Sequence, residues 1–469
     1  MPAGGADVAL SIPAAVLELM DRLRANGQQA YVVGGSLRDR LLDRTPIDWD
    51  LTTDARPERL LELFPQARYE NAFGTVQVDL VEITTFRSDH EYADFRRPHH
   101  VEFGDRVELD LARRDFTVNA MAWGGAPGEP SHLVDPFGGR RDTERRLLRA
   151  VGDPSTRFGE DALRMLRAAR LAAVLEFTVE PATRAALASS AHLAGHLSGE
   201  RIVAELGKLL DAPRPSIGLR ILADAGLLAA IAPPLDAQRG VAQNKIPGED
   251  LWDHVVRSVD ATAAAGRRRT VRWAALVHDI GKPVTAADGH FYGHDVVGAE
   301  LAGDLLRGWH APRETIDEVT HLVRQHMFAY DDAWSDGAVR RFIAKVRPER
   351  LDDLFALREA DSLGSGIPAD AGALTTLRNR VAAELAANVA LDLRGLSIDG
   401  DDLIRELGLA PGPAIGRVLH ALLERVMNEP DINRPATLLA LARELAATMS
   451  DSAATSTGRP APGRSREAG

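Results

Sequence analysis

Between residues 30 and 125 the chain alternates short apolar runs with amphipathic stretches. YVV (31–33), TVQVDLVEITTF (75–86) and HVEF (100–103) read as strands. RPERLLELF (56–64) spaces its leucines along one helical face. From about 140 to 240 the period becomes helical, rich in Ala, Leu and Arg, and strand signals stop. Pro213, Pro215, Pro233 and Pro234 punctuate this stretch, and a new helical region opens near Leu251 after the polar GVAQNKIPGED (240–250). The pattern predicts an α+β protein with four parts. A small α/β head with a mixed sheet spans 1–140, a helical neck and body 141–240, and an all-helical region 241–448. A small, polar tail at 449–469 is expected to be unstructured.

Length and composition narrow this picture. At 469 residues more than one hydrophobic core is expected, and 45% hydrophobic content is ordinary for a globular protein. Without cysteine there is no disulfide framework or thiolate chemistry, so any metal is held by His, Asp or Glu. The first residues lack a signal-peptide pattern and no stretch reads as a membrane span, which together predict a cytoplasmic protein. A formal charge of −12 excludes a surface uniformly coated with phosphate-binding groups. Arginines nevertheless cluster at Arg96-Arg97, Arg113-Arg114, Arg140-Arg141, Arg145-Arg146 and Arg149, a basic surface suited to a nucleic acid backbone.

Two constellations carry chemistry. In YVVGGSLRDRLLDRTPIDWD (31–50), Gly34 and Gly35 follow a strand where something must approach closely, and Ser36 is placed to open a helix. The amides at that helix start suit a phosphate. Asp48 and Asp50 flank Trp49 at strand period, so both carboxylates share a face and repel unless a cation lies between them. Mg²⁺ held by carboxylates and substrate phosphates fits, and the pair suggests metal-assisted chemistry on a nucleoside triphosphate.

The second constellation is His254, His278-Asp279, His294, His326 and Asp361, on helical stretches such as LWDHVVRSVD and RWAALVHDIGK, with Lys282 in HDIGK. Imidazoles and carboxylates in this order suit a divalent metal and imply hydrolysis of a phosphate ester by metal-bound water.

Several ordered motifs add specificity: GGSLRD (34–39) with DWD (48–50), RRDFTVNA (113–120), EDALR (160–164) and SGERIVAEL (198–206). With them the chain resembles the bacterial class II CCA-adding enzymes and poly(A) polymerases that carry a C-terminal HD domain. The resemblance implies that Asp48 and Asp50 hold two Mg²⁺ ions, with Glu82 as a third carboxylate for which Asp79 competes. It implies that Gly34, Gly35, Ser36 and Arg38 cradle the triphosphate, with Asp39 orienting Arg38. Arg114, Asp115 and Asn119 would face the incoming nucleotide and its sugar. Asp161 and Arg164, three apart on one helix, would present a base-pairing edge that chooses C or A, supported by Glu160 and Arg167. HEYADFRRPHHVEF (90–103) resembles the loop that helps the switch from C to A addition.

In the later region the resemblance implies His254, His278, Asp279 and Asp361 as metal ligands and Lys282, His294 and His326 as catalytic groups or second-metal ligands, with His290 and His321 as bystanders. The implied partners are the tRNA 3′ end, CTP and ATP, with Mg²⁺ in the head and an unidentified divalent metal in the HD domain. Poly(A) polymerase activity shares every head motif. A protein-modifying nucleotidyltransferase with an HD removal domain is the alternative of a different class, and EDALR and RRDFTVNA argue against it. A non-catalytic RNA-binding module would have no use for Asp48 and Asp50 together.

Overall fold

The computed structural model describes residues 10–71, 74–92, 98–243 and 245–456. In the head, α1 (Ala14–Ala25) leads into β1 (Ala30–Val33), α2 (Gly35–Leu41), β2 (Trp49–Thr53), α3 (Pro57–Leu63), β3 (Arg68–Asn71), β4 (Thr75–Val78), β5 (Val81–Thr85), the hairpin β6 (Arg87–Tyr92)–β7 (Pro98–Phe103), α4 (Val107–Ala112), β8 (Ala122–Gly125), β9 (His132–Val134) and α5 (Gly139–Glu144). Seven strands form one sheet in the order β3-β4-β5-β2-β1-β8-β9. β2 and β5 are parallel and the other neighbours antiparallel, the mixed sheet expected.

β1 is buried on both faces, which explains its unbroken apolar run. Ala30 and Val32 pack with Met20, Leu23, Leu51, Phe64 and Ile83 on one side. Tyr31 and Val33 pack with Phe86, Leu111, Ala120 and Val151 on the other. A central strand clamped by two cores is a firm base for the groups at its end, where Gly34 begins the turn.

Helices follow: α6 (Pro154–Glu160), α7 (Leu163–Leu175), α8 (Pro181–Ser189), α9 (Gly199–Leu210), α10 (Pro215–Asp224), α11 (Leu227–Ile231), α12 (Pro233–Asp236), α13 (Leu251–Ala264), α14 (Arg269–Val277), α15 (Lys282–Thr285), α16 (His294–Gly308) and α17 (Arg313–Gln325). The expectation that strands stop after 140 misses one short parallel pair, β10 (Leu147–Leu148) with β11 (Thr178–Val179). Two residues each are too few to show a period.

The chain divides into two compact units, Met1–Arg324 with Leu363–Gly366, and Gln325–Ser362 with Ile367–Gly469. They do not part at the boundary expected near 235–250. The polar linker there is real, but the helices on either side of it pack on each other. Ser216 donates through N and Oγ to Asp260 (2.9 and 2.5 Å), Arg272 Nη1 to the Leu210 carbonyl (2.7 Å), and Trp309 Nε1 to the Ile231 carbonyl (3.2 Å).

The second unit holds α18 (Asp336–Val346), α19 (Leu351–Gly364), α20 (Leu374–Ala386), α21 (Gly400–Leu407), α22 (Pro413–Asn428) and α23 (Pro435–Ser456). α23 continues past 448, so residues 449–456 are helical and not the unstructured start of the tail; 457–469 lie outside the described residues. Among the described residues no helix is long and apolar enough to cross a membrane.

Candidate active site

The site begins where β1 ends. Register pairs Val33 with Asp50 of β2, which sets Asp50 beside Gly34, and Asp50 with Glu82 of β5. Gly34 has φ 75°, and a Cβ there would lie 3.1 Å from Arg114 Nη1 and 3.3 Å from Asp50 Oδ2. A side chain would therefore be strained by the backbone and pressed into both groups.

The Asp50 carboxyl is pushed up to about 6, by burial first and then by the charges of Asp48 and Glu82, against the opposing pull of Arg114. Carboxylates that repel in this way are relieved by a hard cation such as Mg²⁺ between them. Asp79 sits in the β4–β5 turn with φ 53°, off Asp50's level, whereas Glu82 is level with it.

Beside Asp50 lies a polar cavity of about 430 Å³, walled by Gly34, Gly35, Arg113, Arg114, Asp115, Asn119, Asp161, Leu163, Arg164, Arg167 and Arg201. Asp110, fully buried on α4, accepts from Arg113 Nε and Nη2 (2.9 and 2.7 Å) through Oδ1 and from Arg114 Nη2 (3.3 Å) through Oδ2. Arg113 is thus a placed cavity group. Burial opposes ionisation of Asp110, but the two guanidinium charges outweigh it and hold the carboxyl below its ordinary range.

Asp115 is buried and accepts from Arg167 Nε through Oδ2 (2.8 Å) and from Phe116 N and Asn119 Nδ2 through Oδ1 (2.8 and 3.2 Å). Against the burial penalty, Arg167 lowers the Asp115 carboxyl, and Asp115 in turn raises Arg167.

Two expectations about local structure are corrected, for Ser36 and for Asp161 with Arg164, and the partners of Arg38 are defined. Ser36 does not open the helix: Gly34 is the N-cap of α2, and Ser36 Oγ donates back to the Val33 carbonyl (3.1 Å). Buried in that turn, its side chain shapes the glycine bend and does not wall the cavity. Arg38, 8% exposed, is also absent from the cavity wall. It donates to Asn119 Oδ1 (2.6 Å) and, through Nε and Nη2, to Asp39 Oδ1 (2.9 and 2.8 Å), so it clasps the turn to Asn119, with Asp39 in the orienting role expected.

Asp161 and Arg164 do not share a helix. Asp161 is the extended residue that ends α6, and its Oδ1 accepts from Leu163 N (3.0 Å) at the start of α7. An Asp side chain that bonds the backbone two residues on competes with helix continuation. Both residues still wall the cavity. Arg164 Nη2 donates to the Arg113 carbonyl (3.0 Å), and Nη1 to the Arg157 carbonyl (3.0 Å) and to Glu160, the support expected of Glu160.

Arg201 was missed as a site residue. From α9 its Nη2 donates to both oxygens of Asp161 (2.9 Å each). Its motif was legible, but only packing of α9 beside the α6–α7 break shows which carboxylate it holds. Asp110 was missed too, although its spacing of three and four before Arg113 and Arg114 is a signal for a shared helical face. Of the loop at 90–103, the backbone of β6 and β7 forms a hairpin, and residues 93–97 lie outside the described residues.

The histidine constellation has its own geometry. A capping box of Asp250 and Asp253 starts α13 and places His254 in its first turn. His254 Nε2 lies 3.1 Å from His278 Nε2 and 3.4 Å from Asp279 Oδ2, and His278 Nε2 3.2 Å from Asp279 Oδ2. Asp279 Oδ1 is 3.4 Å from His294 Nε2, and Oδ2 accepts from Lys282 Nζ (2.6 Å).

His278 Nδ1 and His294 Nδ1 lie 2.9 and 2.7 Å from the Ala275 and Phe291 carbonyls, which orients each Nε2 toward Asp279. Such backing is typical of metal-ligating histidine. Burial opposes the charge on Asp279, but His278 and Lys282 hold its carboxyl well below the ordinary range. Asp361, which accepts from Arg358 Nη1 (3.0 Å), and His326 belong to the second unit.

Comparison with known proteins agrees with this geometry. The poly A polymerase head domain matches residues 30–149, "Probable RNA and SrmB- binding site of polymerase A" matches 176–239, and the HD domain matches 251–365. The CCA-adding enzyme of Geobacillus stearothermophilus is 32% identical over 423 residues, covering 88% of this chain and 92% of that protein. That of Anoxybacillus flavithermus is 40% identical over 417 residues, covering 88% and 92%. The crystal structure of the Bacillus stearothermophilus CCA-adding enzyme in complex with CTP superposes with a TM-score of 0.71 at 30% identity, covering 93% of this chain and 98% of that one. The Thermotoga maritima enzyme complexed with tRNA shares the fold, with a TM-score of 0.56 at 20% identity over 93% and 96%. With the mixed-sheet head, the arginine-walled cavity and the HD donors accounted for, this chain belongs to the family of CCA-adding enzymes, and its head is a nucleotidyltransferase.

Proposed function

We propose that the protein completes the 3′-terminal CCA of tRNA from CTP and ATP without a nucleic acid template. The observation that carries this reading is Asp50, raised to about 6 among Asp48 and Glu82 at the mouth of a cavity walled by arginines. Asp48, Asp50 and Glu82 would hold Mg²⁺, which when bound lowers the pKa of the attacking 3′-hydroxyl and neutralises the leaving pyrophosphate. Gly34 and Gly35 leave room for the triphosphate, and Arg113 and Arg114, aimed by Asp110, bind it. Asp115 and Asn119 border the sugar.

Asp161, held by Arg201, offers a carboxylate acceptor to the base. Arg164 spends Nη1 and one Nη2 hydrogen on the protein, which leaves Nε–H and the other Nη2–H for a ring nitrogen or carbonyl. C and A share an amino group next to a ring acceptor, which this edge matches; U and G present the wrong pattern.

The test is extension of tRNA transcripts ending before CCA, after C and after CC, with CTP and ATP separately and together, read at single-nucleotide length. Addition that stops at CCA in the wild type, with the C/A choice lost in Arg164→Ala, is the expected result. Long A tails from ATP on any RNA would make the protein a poly(A) polymerase, and no extension would overturn the nucleotidyl-transfer reading.

We also propose that His254, His278 and Asp279 bind a divalent metal for phosphate-ester hydrolysis, and that Lys282 and His294 contact its substrate. The match of one HD domain to residues 251–365 supports the grouping. Metal-dependent hydrolysis of p-nitrophenyl phosphate that falls at least about tenfold in Asp279→Ala, with CCA addition retained, is expected. Hydrolysis unchanged by chelation would refute this.

A further inference from the structure

In this acidic chain, unpaired arginines that gather on neighbouring helices leave positive charge uncompensated. On α5, Arg140 pairs with Glu144 (3.1 Å). Arg141 on α5 and Arg145, the residue that caps its C-terminal end, are exposed and form no ion pair among the described residues. Like charges at this spacing cost a few tenths of a kcal/mol. The nearest acids on α5 are committed: Asp142 is buried against Arg149 and Thr117, and Glu144 is held by Arg140.

α2 packs against α5 and brings a second pair. Arg40 Nη1 donates to the Arg44 carbonyl (3.1 Å) and Arg44 Nη1 to the Val174 carbonyl (3.1 Å). Carbonyls fix the two guanidinium groups without neutralising them. Arg40 Nε is buried without a partner among the described residues. Asp39 is spent on Arg38. Asp43 and Glu176 are the remaining acids nearby in the chain, and no ion pair with them forms among the described residues. Arg40 and Arg44 are thus tied to carbonyls, and all four positive charges are left without an ion pair among the described residues.

Position gives the patch a use. The chain runs from Arg44 through exposed Ile47 to Asp48 in four residues, at most ~14 Å of extended backbone. An RNA strand whose terminal hydroxyl lies at Asp48 and Asp50 would have Arg44 within that span, with α2 and α5 packed on each other. We infer that Arg40, Arg44, Arg141 and Arg145 form a phosphate-docking surface on the head for the 3′-terminal strand of the RNA acceptor. The surface contributes affinity and register and reads no base. This inference rests on the nucleotidyl-transfer reading of the head.

The experiment measures tRNA affinity against salt, by anisotropy, together with steady-state addition of CMP. In the full chain with all four arginines changed to glutamine, the KM for tRNA rises at least about tenfold, and kcat and the KM for CTP are unchanged. The slope of log affinity against log salt becomes shallower by about 0.7–0.9 per lost contact, ~3 in all. The corresponding lysine variant keeps the slope, which separates charge from folding.

Arg184 and Arg307 are exposed arginines with their own carboxylates, Asp224 and Asp304 (2.9 and 2.7 Å), and their glutamine variants keep the wild-type slope. An unchanged slope in the fourfold variant, or equal flattening in these controls, would overturn the inference. A protein that shows the expected slopes yet adds no nucleotide would refute the nucleotidyl-transfer reading and leave the phosphate surface standing.

Discussion

Asp50→Asn is expected to lower nucleotide addition by roughly three orders of magnitude, ~4 kcal/mol of transition-state stabilisation at 1.36 kcal/mol per decade. The change keeps the shape of the side chain and removes the charge that draws a cation to the end of β2. A residual rate within about tenfold of wild type would show that Asp50 is not a metal ligand. Asp50 also sets a pH dependence. Its carboxyl stands at about 6 against an ordinary 3.8, so it is protonated below 6 and apparent Mg²⁺ affinity falls about tenfold per pH unit there.

The sign for stability follows. The folded carboxyl is raised, so without metal its stabilising contribution is full below the ordinary 3.8 and lost as pH rises through about 6. Mg²⁺ should therefore raise the thermal midpoint more at pH 7.5 than at pH 5. Asp50→Asn should abolish that difference, and without metal above pH 6 it should melt higher than wild type. Equal Mg²⁺ stabilisation at both pH values, measured by calorimetry, would contradict the assignment.

The second large effect is expected at Asp110, which touches no cavity space and acts through Arg113 and Arg114. Asp110→Ala leaves two arginines without their shared carboxylate. Breaking a buried pair costs ~3–5 kcal/mol, and because both guanidinium groups are partly exposed a loss of about 2–3 kcal/mol is expected. Chemical denaturation measures it. Asp110→Asn keeps the volume and two hydrogen-bonding atoms, so the fold should survive while the arginines lose their aim. The KM for CTP and ATP should then rise roughly tenfold, ~1.4 kcal/mol, with the KM for tRNA unchanged. A fall in stability without that split would make Asp110 structural only. Since its carboxyl is held below 3.8, its contribution is present above that pH and lost as pH falls through the lower folded value.

The relation between Asp50 and Asp110 marks how far local pattern reaches. Asp50 lies in β2 and Asp48 in the bend just before it, so the strand period expected of DWD covers only Asp50, and adjacency alone made the metal reading legible. Asp110 sits in an unremarked helical turn, and its importance appears only once α4 is buried. Ser36 was misread because a Ser at a helix start ordinarily caps it, whereas here glycine takes the cap and the hydroxyl turns into the bend. Asp161 was misplaced because EDALRMLRAARLAA scans as one helix, and a single side chain bonding Leu163 N breaks it.

The sequence by itself determined the mixed-sheet head and the helical remainder, and it marked the DWD carboxylates and the histidine–aspartate set as candidates, because each is encoded in periods or spacings of a few residues. Tertiary structure alone decided that Arg38 clasps Asn119, that Arg201 holds Asp161 across 40 residues, and that Arg167 neutralises Asp115 across 52. It also decided that the neck and the helices from 251 share one unit. Such pairings join residues far apart in the chain. Their energy comes from burying charge against charge, and no local propensity encodes which carboxylate a distant arginine will meet.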